Sequence, residues 1–176
     1  QFLKALDRLD EIHALEPERD PPGAVPLHAP VRGSLAFRHV TYRYPGRDVA
    51  LDGLDLEIAP QEHVGIVGES GSGKTTLFNL LLRFDDPQEG SILIDDLEIR
   101  RATRKSVRGA IAFVPQDIVL FDDTVLENVR YGRPDASDAD VERAAELAQA
   151  TEFIARLPDR FDTMIGERGV TLSGGQ

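Results

Sequence analysis

Gly68-Glu69-Ser70-Gly71-Ser72-Gly73-Lys74-Thr75-Thr76 follows the apolar run Val64-Gly65-Ile66-Val67 and precedes Leu77-Phe78-Asn79-Leu80-Leu81-Leu82. The pattern is strand, glycine-rich turn, helix. Gly68, Gly71 and Gly73 free the backbone to wrap with its N–H groups turned inward, and the start of the next helix adds a partial positive charge. Both features suit a phosphate chain. In such a loop Lys74 reaches the β- and γ-phosphates and Thr75 offers its hydroxyl to Mg²⁺. Ser70, Ser72 and Thr76 belong to the same cradle.

Working outward, 176 residues suffice for one core with a small appended subdomain. The formal charge of −11 argues against a nucleic-acid partner, because binding by counterion release needs a cationic surface. The basic pairs Arg100-Arg101 and Arg104-Lys105 read as solvated helix faces. No cysteine is present, so there is no disulfide framework and no thiolate metal site. No apolar run approaches the ~20 residues that span a bilayer.

Upstream of the loop, Phe2, Leu6, Leu9, Ile12 and Leu15 recur three or four apart, which predicts an amphipathic helix over residues 1–16. Pro17, Pro21, Pro22, Pro26 and Pro30 then predict an extended linker over 17–33. Residues 34–44 and 49–58 alternate apolar and polar around Pro45-Gly46-Arg47-Asp48, the pattern of an antiparallel hairpin. Residues 62–67 are expected as a buried strand feeding the loop.

Downstream, Leu77, Leu80, Leu81 and Phe84 share one helical face, and residues 91–95 predict a short strand. Ile111-Ala112-Phe113-Val114 predicts another, stopped by Pro115, which leaves Gln116 at a strand end. Thr124-Val125-Leu126-Glu127 reads as a capping box. From Ser137 the chain turns helical, with Val141, Ala144, Ala145 and Ala148 on one face and a second short helix over 151–157.

The closing residues Leu172-Ser173-Gly174-Gly175-Gln176, taken with the phosphate loop and the helical block between them, resemble the signature motif of ATP-binding cassette ATPases. The resemblance covers essentially the whole chain and narrows to the exporter branch. It implies an α/β fold: a P-loop NTPase core with an antiparallel β-subdomain and an inserted α-helical subdomain, incomplete at its C-terminus. The implied organisation is the end of a last transmembrane-domain helix (1–16), a Pro-rich linker (17–33), the ATP-binding core (34–134) and the helical subdomain (135–176).

The resemblance also assigns roles. Tyr44 in Thr41-Tyr42-Arg43-Tyr44-Pro45 is similar to the aromatic that stacks on adenine. Gln116 in Val114-Pro115-Gln116-Asp117 is similar to the hinge glutamine that senses Mg²⁺ and the γ-phosphate. Residues 120–124 and 127–132 resemble the exporter segment that meets the membrane domain, and Gly166-Glu167-Arg168-Gly169 a loop carrying a cross-dimer contact. Ser173, Gly174, Gly175 and Gln176 would serve the ATP of a second copy in a head-to-tail dimer. The family's second acidic motif and switch histidine are assigned to nothing here and are expected beyond Gln176, so the chain as given is expected to bind ATP and Mg²⁺ without turnover. The implied partners are a second nucleotide-binding domain and a transmembrane domain, at the cytoplasmic face of a membrane such as the bacterial inner membrane. Two alternatives remain: an ATPase of chromosome maintenance or repair, which would insert a long coiled coil between loop and signature, and a non-hydrolysing nucleotide-gated module.

Overall fold

The computed structural model describes residues 17–116 and 119–166. The helix expected over 1–16, Asp117, Glu167-Arg168-Gly169 and the motif at Ser173–Gln176 lie outside the described residues. Contacts cluster the chain into two compact units, 1–112 and 113–176.

In the first unit, alternation produces the hairpin. Strand β1 (Leu35–Arg43) pairs antiparallel with β2 (Val49–Ile58), and β3 (Glu89–Ile94) covers the other edge of β1. A two-residue strand β4 (Leu97–Glu98) completes a four-stranded antiparallel sheet in the order β2-β1-β3-β4. The register shifts around His39, whose φ is 51°, and Gly90 lies opposite this bulge. A Cβ on Gly90 would stand 2.3 Å from the His39 carbonyl oxygen, so the bulge requires glycine there.

Helix α1 (Lys74–Leu81) buries Thr76, Leu77, Leu80 and Leu81. Its apolar residues join Phe37, Val40, Ile92 and Ile94 from the sheet in one core. Phe84 departs from the expected face. The helix stops at Leu81, Arg83 takes a left-handed conformation with φ 53°, and Phe84 emerges exposed beneath the Arg108 guanidinium, 5.1 Å from the ring centroid.

The Pro-rich segment is extended, as its prolines dictate, but it is also fastened down. Val25 bridges to the backbone at Arg101 and Thr103, and Leu27 is buried in the first core. Helix α2 (Arg104–Gly109), capped by the Thr103 hydroxyl, supplies Arg108, which meets Glu18 through two contacts of 2.7 Å. The Arg104 amide donates to Asp20 at 2.8 Å. Arg104 therefore corrects the expectation of a solvated basic face: together with Arg108 it holds the acidic residues of the linker.

Two expected strands are not formed. Residues 62–67 and 111–114 pair with no strand among the described residues, and Val67 and Val114 are 93% and 84% exposed. Their sequences suit a sheet, but a ladder needs a partner on at least one side, and no described segment is paired with either stretch.

In the second unit the regular structure is chiefly helical. Strands β5 (Asp123–Thr124) and β6 (Met164–Ile165) form a small antiparallel pair beside α3 (Val125–Arg130), α4 (Asp138–Leu147) and α5 (Thr151–Ile154). Thr124 caps α3 by accepting from the Glu127 amide at 3.1 Å, while the Glu127 carboxylate pairs with Arg130. Ser137 and Asp140 form a complete capping box on α4, and these hydrogen bonds hold the Asp140 carboxyl below its ordinary value. Val125, Ala145, Ile154 and Ile165 make this unit's core.

Candidate nucleotide site

The site is built from residues 68–76 outward. Gly73 sits at the start of α1 with φ 88° and ψ 2°, and no side chain caps that end. The first turn of α1 carries no acidic residue, so nothing there repels an anion. Gly71 also has a positive φ, 85°. A Cβ on Gly68 would lie 2.6 Å from the Ser72 hydroxyl oxygen, so a side chain there would make that hydroxyl turn away.

Lys74 occupies the middle of this loop. Its Nζ donates to the carbonyl oxygens of Gly68 at 2.7 Å and Glu69 at 2.6 Å, and to the Ser72 hydroxyl at 3.2 Å. The ammonium is thus held by neutral acceptors at partly exposed positions. An anionic phosphate oxygen would be a stronger acceptor than these carbonyls. Ser70 and Thr75 are exposed beside it, whereas Thr76 is buried.

Tyr44, at the end of β1, is half-buried and turned toward the same helix. Its hydroxyl accepts from the Thr76 hydroxyl and from Asn79 Nδ2, both at 3.3 Å, and its ring meets Tyr42 edge to face at 4.9 Å. Burial, together with a hydrogen bond to Asp85, pushes the Tyr42 phenol up to about 12, so that ring remains a neutral buttress. Asn79 was not singled out from sequence, because a polar residue inside an amphipathic helix reads as its solvated side.

Next to the loop, an open cavity of about 550 Å³ is lined by Phe37, Ile66, Leu77, Phe78 and Leu81, with Lys74 and Thr75 at its border. Gln116 is an exposed bend residue of the second unit, and Ser173, Gly174, Gly175 and Gln176 lie outside the described residues. The described residues hold no cluster of three or more acidic or histidine side chains able to ligate a metal by themselves. No described helix is long and apolar enough to cross a membrane.

In the second unit, the Asn128 side chain grips the segment before α3. Its Oδ1 accepts from the Phe121 amide at 2.8 Å, and its Nδ2 donates to the carbonyls of Phe121 and Thr124 at 3.0 and 2.9 Å. Gly166 packs so tightly that a Cβ would stand 2.9 Å from Asp122 Cα. Phe121 stacks on Tyr131 at 4.4 Å, and Val119, Leu120 and Phe121 remain exposed.

Comparison with known proteins agrees with this geometry. Residues 51–176 match the ABC transporter family. An ATP-dependent lipid A-core flippase of Thiobacillus denitrificans is 46% identical over the whole chain, which covers 31% of that protein. An ATM1-type heavy metal exporter of Novosphingobium aromaticivorans is 50% identical over 82% of the chain and 24% of its own length. A solved bacterial Atm1-family ABC exporter with ATP bound superposes with a TM-score of 0.88 at 44% identity, over 99% of this chain and 30% of that one. The chain therefore spans less than a third of the length of these relatives. The likeness shows the P-loop NTPase fold, and it accounts for the antiparallel sheet beside α1 and for the helical second unit. By its sequence match and by its fold, the chain belongs to the ABC transporter family.

Proposed function

We propose that this chain is the ATP-binding part of an exporter in which ATP binding and hydrolysis drive a substrate across a membrane. The observation that carries the proposal is the glycine-built loop closed around Lys74 at an uncapped helix start. When nucleotide binds, Lys74 exchanges the Gly68 and Glu69 carbonyls for β- and γ-phosphate oxygens. Gly68, Ser70, Gly71, Ser72 and Gly73 present the loop's backbone amides, and Thr76 joins the cradle from the first turn of the helix. The exposed Thr75 hydroxyl would hold Mg²⁺, whose charge would offset that of the phosphates, and Gln116 has a role toward that ion by family resemblance alone. The Tyr44 ring takes the adenine.

Ser173, Gly174, Gly175 and Gln176 would complete the site of a second nucleotide-binding domain in a head-to-tail dimer. A transmembrane domain of the same transporter would dock on the segment around Phe121, placing the chain at the cytoplasmic face of a membrane, as in the bacterial inner membrane. The substrate class is a lipid, drug, peptide or metal conjugate, in keeping with a lipid A-core flippase and a heavy metal exporter among the relatives.

Hydrogen bonds to charged groups contribute about 1.5–3 kcal/mol each and several converge on the phosphates, whereas one base–aromatic stack is worth about 1–3 kcal/mol. Calorimetry of ATP binding should therefore show a larger loss for Lys74→Ala than for Tyr44→Ala. Unchanged affinity in the lysine variant would overturn the proposal.

A further inference from the structure

Thr76 and Asn79 stand three residues apart on α1, so both face the same way, and both reach the hydroxyl of Tyr44. A tyrosine ring standing alone at a strand end has a broad second side-chain torsion. Here the ring is held at two places: its tip by these donors and its body by a T-shaped contact with Tyr42, at an interplanar angle of 89°. The residue's backbone is held as well, since the Tyr44 carbonyl accepts from the Arg47 amide at 3.1 Å. The helix that grips the ring is also the helix that begins at Lys74.

We propose that Asn79, acting with Thr76, is a positioning residue for base recognition: it fixes the Tyr44 ring relative to the phosphate loop, so that one helix sets the spacing between the two ends of a bound nucleotide. This rests on the reading of Tyr44 as the adenine platform. Thr76 has a second duty in the cradle, whereas Asn79 is half-buried and carries no charge, so its contribution is separable. Leucine branches at the same carbon as asparagine and cannot donate.

The test compares ATP with inorganic tripolyphosphate, which presents the phosphates without a base, on the full-length protein in EDTA to prevent turnover. The ratio of the two dissociation constants reports the base's share of binding. Tyr44→Ala should collapse this ratio. Asn79→Leu and Tyr44→Phe should each reduce the preference for ATP about three- to tenfold, the worth of a net hydrogen bond. Asn79→Leu should have no further effect in the Tyr44→Phe background, because the hydroxyl it acts through is gone.

A ratio unchanged by Asn79→Leu while Tyr44→Ala lowers it overturns the positioning role alone. Equal weakening of ATP and tripolyphosphate by Asn79→Leu also overturns it, because the residue would then act on the loop and not on the base. If Tyr44→Ala itself leaves the ratio unchanged, the adenine-platform reading falls and the inference falls with it.

Discussion

Gly73 shows how closely single residues constrain the loop. Its left-handed φ of 88° is one reason for glycine, and its surroundings are another: a Cβ would meet the Ala50 carbonyl oxygen at 2.5 Å and Leu51 Cδ2 at 2.9 Å. Ala50 belongs to β2, where the backbone is fixed by its ladder, so the clash cannot be relieved by rotating a side chain. Left-handed strain and overpacking each cost on the order of 1–3 kcal/mol. Gly73→Ala should therefore lower stability by about 2–4 kcal/mol and weaken ATP binding as well. A melting temperature equal to wild type would show that the loop tolerates the carbon. Arg83 makes the contrasting case. It adopts φ 53° without being glycine because its buried guanidinium donates to the Ala102 carbonyl at 2.7 Å, an interaction that supports the strained turn.

At the scale of elements, the linker is held to the first unit by two carboxylates with lowered pKa values. Burial tends to raise Asp95, but it accepts from the amides of Arg32, Gly33 and Ser34 at 2.5, 3.0 and 2.9 Å and from the Ser34 hydroxyl, and these bonds win. The Arg108 hydrogen bonds hold Glu18 below its ordinary 4.5. Arg108 also donates to the Leu82 and Arg83 carbonyls at the end of α1, so the linker and the phosphate-loop helix share one guanidinium. A group with a depressed folded-state pKa adds stability that is complete above its unfolded value and is lost as pH falls through the folded one. For these two the loss begins near the ordinary 3.8 and 4.5 and deepens below them. Asp95→Asn should cost about 1–2 kcal/mol at neutral pH, because the charged acceptor becomes a neutral one. The gap to wild type should narrow as pH falls below 4. Calorimetric melts of both proteins between pH 7 and pH 3 check this. A gap that is constant across the range would remove the charge of Asp95 from the explanation.

For the whole molecule, the proposed docking of a membrane domain makes a testable demand on the exposed Leu120 and Phe121. In the second unit, Asn128 and Gly166 fix the segment that displays Leu120 and Phe121. A solvated loop has no need of such rigid support, whereas a docking surface does. Phe121→Asp in the full-length protein should leave ATP affinity within about twofold and lower transport several-fold, since burying an unpaired carboxylate in an apolar interface is costly. Parallel measurements of nucleotide binding and transport check this. Equal loss of both would place Phe121 in the fold of its own unit and not at a coupling surface.

The elements legible in the sequence were those specified by neighbours along the chain. The glycine loop, the β1–β2 hairpin, the Thr124 and Ser137 caps and the buried face of α1 each depend on residues a few positions apart, through backbone freedom, side-chain period or a local hydrogen bond. Contacts between distant residues were not legible. Asn79 reaches Tyr44 across 35 positions, and Glu18 reaches Arg108 across 90, so neither pairing leaves a local pattern. Strand pairing obeys the same rule. Residues 62–67 and 111–114 carry strand composition, but composition supplies only one half of a ladder, and the other half is a hydrogen-bonding partner that tertiary structure must bring.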